Sequence, residues 1–393
     1  MTEKSGDADN AAGQATSQQG TPVSQSDAAT IGAAFARLGN RGPGFDTVRI
    51  CAASAVVFHH SLAIKYDIVA VDWINAFSRG YTNLGFLSVA IFFVLSGFLV
   101  TPGLLRNGDV LEYLSRRFMR IMPLLFVVVA TTALVIGPIV SDLAPAEYFT
   151  RPAPWLYFRN LLTWLSLHLP GVTDYDGGRT INGPMWTLHY EWLCYITLGV
   201  LQLLAVTRNR QLFLALWCMI IVAGALIYFR VVPTGPFKPL RLFELFGYFG
   251  AGSLIYLYRD KIPYSRSLMA LAFSLLLGSL WLSMGVITAP MLVAYLVAGL
   301  GMIRFPWGPL LAKADLSYGI YLTHSVAFVV IMRFWPVEAP LVLFVLGWGM
   351  ACLIALMTWT FIEKPALRYK DVPARLVRSL IGPRLAGKFG AVA

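Results

Sequence analysis

Residues 84–104 read Leu84-Gly-Phe-Leu-Ser-Val-Ala-Ile-Phe-Phe-Val-Leu-Ser96-Gly97-Phe-Leu-Val-Thr-Pro-Gly-Leu104. The run is continuously apolar, carries no charge and shows no period-2 alternation. Crossing a bilayer as a helix takes roughly 20 predominantly apolar residues, and the strands of a membrane barrel would alternate. This stretch therefore reads as a transmembrane helix. Working outward from it, about ten such runs fill residues 41–368. We place them at 45–64, 84–104, 119–140, 185–206, 212–230, 241–258, 267–284, 286–303, 317–335 and 341–362. Composition agrees. Hydrophobic residues make up 57% of the 393 and charged residues 13%, against about 45–50% and about 25% in soluble domains. Mean hydropathy is +0.66. Soluble enzymes, secreted scaffolds and coiled coils are excluded. The expected fold is an all-α, polytopic transmembrane helix bundle.

The formal charge is +11. Membrane proteins gather Lys and Arg in cytoplasmic loops, so this balance is no argument for nucleic acid as a partner. With the N-terminus inside, 22 basic residues fall on the cytoplasmic side and 9 outside, which puts both termini in the cytoplasm. Residues 1–40 are rich in small and polar types and are expected to be a disordered tail; no apolar signal core lies near Met1. Residues 41–368 form the transmembrane domain and 369–393 a basic tail, whose Arg375-Leu-Val-Arg-Ser-Leu-Ile381 suits a helix lying on the anionic inner leaflet. One outer loop is long, from Ser141 to Pro184. Its Trp155–Leu169 stretch is expected to form an interfacial or re-entrant helix, before the polar Asp174-Tyr-Asp-Gly-Gly-Arg179. Cys51, Cys194, Cys218 and Cys352 form no Cys-x-x-Cys pair, so neither a disulfide framework nor a metal site is expected.

Ionisable groups at membrane depth are costly and mark candidate sites. Arg49 and His60 in the first span are 11 residues apart, close to three full turns. They share one face about 16 Å apart, and His59 points elsewhere. His60 is a candidate general base and Arg49 a candidate anion contact; a packed histidine and a snorkelling arginine are the alternative. Ser96-Gly97 in the second span suits close helix approach, with a serine nucleophile as the sharper alternative. Arg117 and Arg120, at i and i+3 near a cytoplasmic helix start, suit phosphate or pyrophosphate; by spacing alone ordinary membrane anchoring explains them better. Trp186-Thr-Leu-His-Tyr-Glu191 opens the fourth span from outside, and Glu191 needs either a partner or a task. Glu244, three residues after Arg241, reads as a structural pair. Ser317, Tyr321 and His324 share one face of the ninth span. Glu363-Lys364-Pro365 is expected to close the tenth at the inner surface.

Taken in order, these pieces resemble the membrane-bound acyltransferase family 3. The matching patterns are Arg49-x10-His60, Phe92-Phe-x-x-Ser-Gly-Phe-Leu99, Arg117-x-x-Arg120, Trp186-Thr-Leu-x-x-Glu191, Ser317-Tyr-x-x-Tyr321-Leu-x-His324 and Glu363-Lys-Pro365. One departure is Ala90, where family members often carry Asp. The resemblance implies ten spans in the plasma (inner) membrane. It implies transfer of an acyl group, usually acetyl, from cytoplasmic acetyl-CoA to a hydroxyl of a glycan or lipid-linked sugar, with no metal. Histidine, with an ordinary pKa near 6.5, is suited to deprotonating a hydroxyl as it attacks. On this reading His60, Arg49 and Glu191 carry the chemistry, Glu191 orienting His60 or the acceptor. Arg117 and Arg120 hold coenzyme A, and Trp186, Tyr321, His324 and Ser96 complete the site. A membrane transporter or flippase of a glycan precursor is the main rival, and a non-catalytic sensor or scaffold a third.

Overall fold

The computed structural model describes residues 30–66, 72–162, 164–172, 180–232 and 239–389. It is helical throughout, with no strand among the described residues. The principal helices are α1 (Ile31–Arg37), α2 (Phe45–Lys65), α3 (Leu84–Asn107), α4 (Val110–Thr131), α5 (Leu188–Leu203) and α6 (Arg210–Tyr228). They continue as α7 (Leu240–Leu257), α8 (Arg266–Trp281), α9 (Gly285–Gly301), α10 (Ser317–Phe334), α11 (Pro340–Thr358) and α12 (Val372–Phe389). Among the described residues, six helical stretches, beginning with α2, α3, α4, α6, α10 and α11, are long and apolar enough to cross a membrane; α8 and α9 are shorter apolar helices. Large apolar side chains stand exposed along α6, α8 and α11, among them Met219, Val222, Phe273, Leu275, Leu353 and Met357. In a water-soluble protein that surface would be an association hazard; in lipid it is the expected outer face.

Local chemistry sets the helix ends. Asn83 starts α3 by accepting from Phe86 N at 2.8 Å, and Gly108 ends it in the left-handed region. Asp109 then starts α4 by accepting from Glu112 N. Such caps satisfy donors that a helix start leaves unpaired. Because α4 starts at Val110, Arg117 and Arg120 sit two to three turns inside it, not at its N-terminus. The terminal N–H groups therefore do not assist them.

At the centre α3 crosses α7 almost backbone to backbone. A Cβ on Gly97 would lie 2.0 Å from Phe249 O, and one on Gly252 would lie 2.1 Å from Val94 O. Thr101 donates to Ser253 Oγ at 3.1 Å, closing the same crossing. Small residues at span interfaces allow this approach. A second core joins α2, α10 and α11 through Ala53, Val57, Phe328, Leu343 and Ala355. The candidate site is lined by residues of the first of these cores, among them Val89, Phe93, Ile121 and Tyr321.

Residues 1–29 of the expected tail, and Asp174–Arg179, lie outside the described residues. The rest of the expected tail departs from expectation, because α1 is folded onto the bundle. Its Ile31 N donates to Ile262 O at 2.9 Å and Gly32 N to Arg259 O at 2.8 Å. Phe35 is buried and meets the Phe98 ring edge-on. A short apolar stripe, Ile31, Ala34 and Phe35, is diluted when composition is averaged over 40 residues. The Trp155–Leu169 stretch also differs: it forms a single turn Ala153–Leu156 and a 3-10 turn Tyr157–Leu162. Asn160 then bonds both Ser166 O and Ser166 N, which folds the chain back instead of extending a helix. It is the end of the loop that reaches inward: Asn182 donates to Leu322 O at 2.9 Å. Leu322 is five residues into α10, about 8 Å from its start. At the other terminus α12 rests on α4, where Ser115 donates to Lys370 O and accepts from Ala374 N. Arg378 pairs with Asp109.

Candidate active site

A partly open cavity of about 120 Å³ lies between α2, α3, α4, α5 and α10. Arg49, Arg117, Arg120 and Asp315 line it together with Ser96, Glu191, Tyr195, Phe92 and Tyr321. The basic region is organised by carboxylates. Asp315, in the turn before α10, meets Arg120 at 2.6 Å and Arg49 at 3.4 Å. Arg120 also meets Glu363 at 2.6 Å, and Arg49 meets Asp46 at 3.4 Å. Ser317 donates to the other oxygen of Asp315 at 2.7 Å. Burial of Asp315 opposes its ionisation, but the Arg120 and Arg49 guanidiniums outweigh this and hold its pKa down at about 2.

Glu363 reaches Arg120 because the chain does not stop after α11. It continues as a π-helical turn, Trp359–Glu363, and then Lys364–Ala366. The wider turn rotates Glu363 inward, where it is almost fully buried. The expected helix end at Glu363-Lys364-Pro365 is thus a continuation. Such turns recur at functional sites.

Arg117 behaves differently from Arg120. It lines the cavity, its Nε is buried, and that nitrogen has no hydrogen-bond partner among the described residues. A buried donor left unpaired costs about 1–3 kcal/mol, so the position is suited to an incoming anion. The two arginines therefore do not form one open pair.

Glu191, one turn into α5, accepts from Tyr195 OH and, at 3.5 Å, from Ser96 Oγ. Among the described residues it makes no hydrogen bond to His60. Its turn is pinned from α10: Tyr321 OH donates to Pro184 O at 2.9 Å and contacts Thr187 Oγ1 at 2.8 Å. Trp186 packs edge-on against Tyr190 and is not part of the cavity wall. Arg241 and Glu244 form the expected pair at 2.9 Å.

His60 and His324 are outside the cavity lining. The Tyr321 ring is 6.2 Å from that of His324. The two imidazoles meet, His324 Nε2 to His60 Nδ1, at 3.2 Å. His60 Nδ1 also faces Val56 O at 3.0 Å, and His324 Nδ1 faces Ile320 O at 3.1 Å. A carbonyl oxygen only accepts, so for neutral rings both Nδ1 atoms carry hydrogen. His60 Nε2 then holds the lone pair, and it has no hydrogen-bond partner among the described residues. His59 turns the other way, to Asp72 at 3.0 Å. Asp72 also accepts from Ile74 N, Asn75 N and Leu84 N, which makes His59 part of the α2–α3 connection.

Sequence spacing had singled out neither Asp315 nor Tyr195. An acidic residue two positions before Ser317 is a signal that could have found Asp315. Among the described residues, no group of three or more metal-ligating side chains occurs.

A family model described as an acyltransferase domain, the acyltransferase 3 family, matches residues 43–360. The chain belongs to the membrane-bound acyltransferase family 3. This acyltransferase is similar to an O-acetyl transferase of Shigella phage Sf6, 27% identical over 340 residues that cover 81% of this chain and 94% of the relative. It is also similar to nodulation protein 10 of Rhizobium leguminosarum bv. viciae, 27% identical over 366 residues, or 87% and 96% of the two chains. A Bacillus subtilis protein named for peptidoglycan O-acetylation is 24% identical over 372 residues, 82% of this chain and 54% of that one. No solved structure matches the acyltransferase significantly. Family and helices together make it a multi-pass membrane enzyme.

Proposed function

We propose that this acyltransferase moves an acyl group, acetyl by default, from cytoplasmic acyl-CoA to a hydroxyl of an extracytoplasmic or lipid-linked glycan. His60 is the general base. The chain crosses the plasma (inner) membrane ten times, with both termini in the cytoplasm. The observation that carries this reading is the His60 imidazole, held through Nδ1 with Nε2 unpartnered among the described residues, reached through the His324 and Tyr321 rings from a cavity lined by Arg49, Arg117 and Arg120. Names of the relatives favour O-acetylation and, in one case, a glycan acceptor.

Coenzyme A is polyanionic and ends in a long arm bearing the thioester. Arg117 supplies a phosphate contact. Arg120 and Arg49, paired with Asp315, Glu363 and Asp46, keep that mouth in shape. The thioester end lies toward Tyr321. The acceptor hydroxyl gives its proton to His60 Nε2 as its oxygen attacks the thioester carbonyl carbon. The carbon–sulfur bond breaks, and the thiolate leaves with the proton from His60. Transfer is direct, without an acyl-enzyme.

The test compares ester-linked acyl content of surface glycans in cells with the intact chain, without it, and with His60→Ala at equal membrane abundance. Loss in both deficient strains is the expected result. Normal esterification with His60→Ala overturns the assignment of the base.

A further inference from the structure

We propose that His324 is the positioning residue for His60: its Nε2 lone pair receives the His60 Nδ1 hydrogen and thereby aims His60 Nε2 at the acceptor. The inference rests on His60 being the base.

A base must present one particular nitrogen, in one orientation, to the proton it takes. On α2 itself the ring meets Val56 O, 3.0 Å from Nδ1. Val56 O, one turn back, is the ordinary acceptor for the backbone N–H of residue 60 in a helix, so its capacity for the ring is shared. Glu191, the carboxylate that spacing suggested for the task, is engaged by Tyr195 and Ser96. Among the described residues, His324 is the side chain that meets His60 Nδ1, at 3.2 Å.

His324 is itself fixed. It is fully buried, its Nδ1 donates to Ile320 O, and Phe328 flanks its ring at 5.9 Å. The order Ile320 O, His324 Nδ1–H, His324 Nε2, His60 Nδ1–H leaves His60 Nε2 as the terminus, unpartnered among the described residues. When His60 takes up the hydroxyl proton it becomes a cation at membrane depth. A neutral imidazole acceptor behind it then strengthens its hydrogen bond, because charge-assisted bonds are about twice as strong as neutral ones. A carboxylate in that place would bind the cation more tightly and hinder return of the proton to the thiolate.

The experiment uses membrane vesicles containing the full chain, radiolabelled acetyl-CoA as the probe, and the membrane's own acceptors. Initial rates of ester formation give a maximal rate per enzyme and an apparent KM for acetyl-CoA. His324→Leu is expected to lower the maximal rate about tenfold to a hundredfold, as loss of a group that orients another does elsewhere, with KM unchanged. His324→Gln, whose amide oxygen reaches the Nε2 position, restores most of the rate. In a His60→Ala background His324→Leu causes no further loss. His324→Met makes the same comparison should the leucine variant fail to accumulate. Equal rates for the leucine (or methionine) and glutamine variants overturn the proposal, because a packing role makes no use of an acceptor. Full activity of His324→Leu alongside an inactive His60→Ala sinks the positioning role alone. Full activity of His60→Ala removes the base assignment and this inference with it.

Discussion

Gly97→Ala isolates the crossing that holds the cavity wall together. The new methyl would lie 2.0 Å from Phe249 O, a backbone atom that cannot swing aside. The backbones of α3 and α7 must part by about 1 Å or more before that contact becomes ordinary, in an interior packed as densely as an organic crystal. Overpacking of this kind costs about 1–3 kcal/mol. The Thr101–Ser253 bond and the Ser253 bond to Gly97 O each contribute about 1 kcal/mol that separation forfeits. Against this stands about 1 kcal/mol of helix propensity gained by alanine. The net loss is about 2–4 kcal/mol. At about 2–4 °C per kcal/mol for domains of 150–250 residues, and less for a longer chain, the melting midpoint falls by roughly 5 °C. Gly103→Ala on the same helix is the control, since a Cβ there meets nothing within 4 Å. The assay is thermal unfolding in one detergent at one scan rate, because irreversible unfolding makes the midpoint rate-dependent. Equal midpoints for Gly97→Ala and Gly103→Ala would refute the close-crossing argument.

Two further outcomes follow from the basic region of the cavity. The folded-state pKa of Asp315 lies at about 2, below the ordinary value near 3.9. Its stabilising contribution is therefore complete above about pH 4 and is lost as pH falls through about 2; melting across that window should decline more steeply for the intact chain than for Asp315→Asn, and parallel curves would contradict this. Arg117→Ala is expected to raise the apparent KM for acetyl-CoA by about tenfold or more, the equivalent of one charged hydrogen bond, with the melting midpoint unchanged. Arg120→Ala is expected to lower that midpoint by stripping Asp315 and Glu363 of a shared partner, and the reverse assignment of the two effects would show that the two arginines have been exchanged.

Much of the architecture was legible because a membrane span is a local property. Any segment that buries its backbone in lipid must be helical and apolar over roughly 20 residues, and α2, α3, α6, α10 and α11 are visible in the residues they contain. Helix α1 was missed because seven residues decide it within a polar tail. Its burial depends on Ile262 O and Arg259 O across the bundle. The candidate site was legible as residue types at depth, not as partnerships. Arg117 and Arg120 look alike three residues apart, yet only Arg120 meets two carboxylates.

Local chemistry along the chain therefore established an all-helical membrane protein and drew attention to His60, Arg49, Arg117, Arg120, Glu191 and His324. Which of these touch was decided by packing. His60 meets His324 across 264 residues, and Arg120 meets Glu363 across 243. Helical period fixes the face on which a side chain stands, but the neighbour facing it depends on how far helices approach and how they are rotated. Here the small residues Gly97 and Gly252 and the π-helical turn at Trp359–Glu363 set those two quantities.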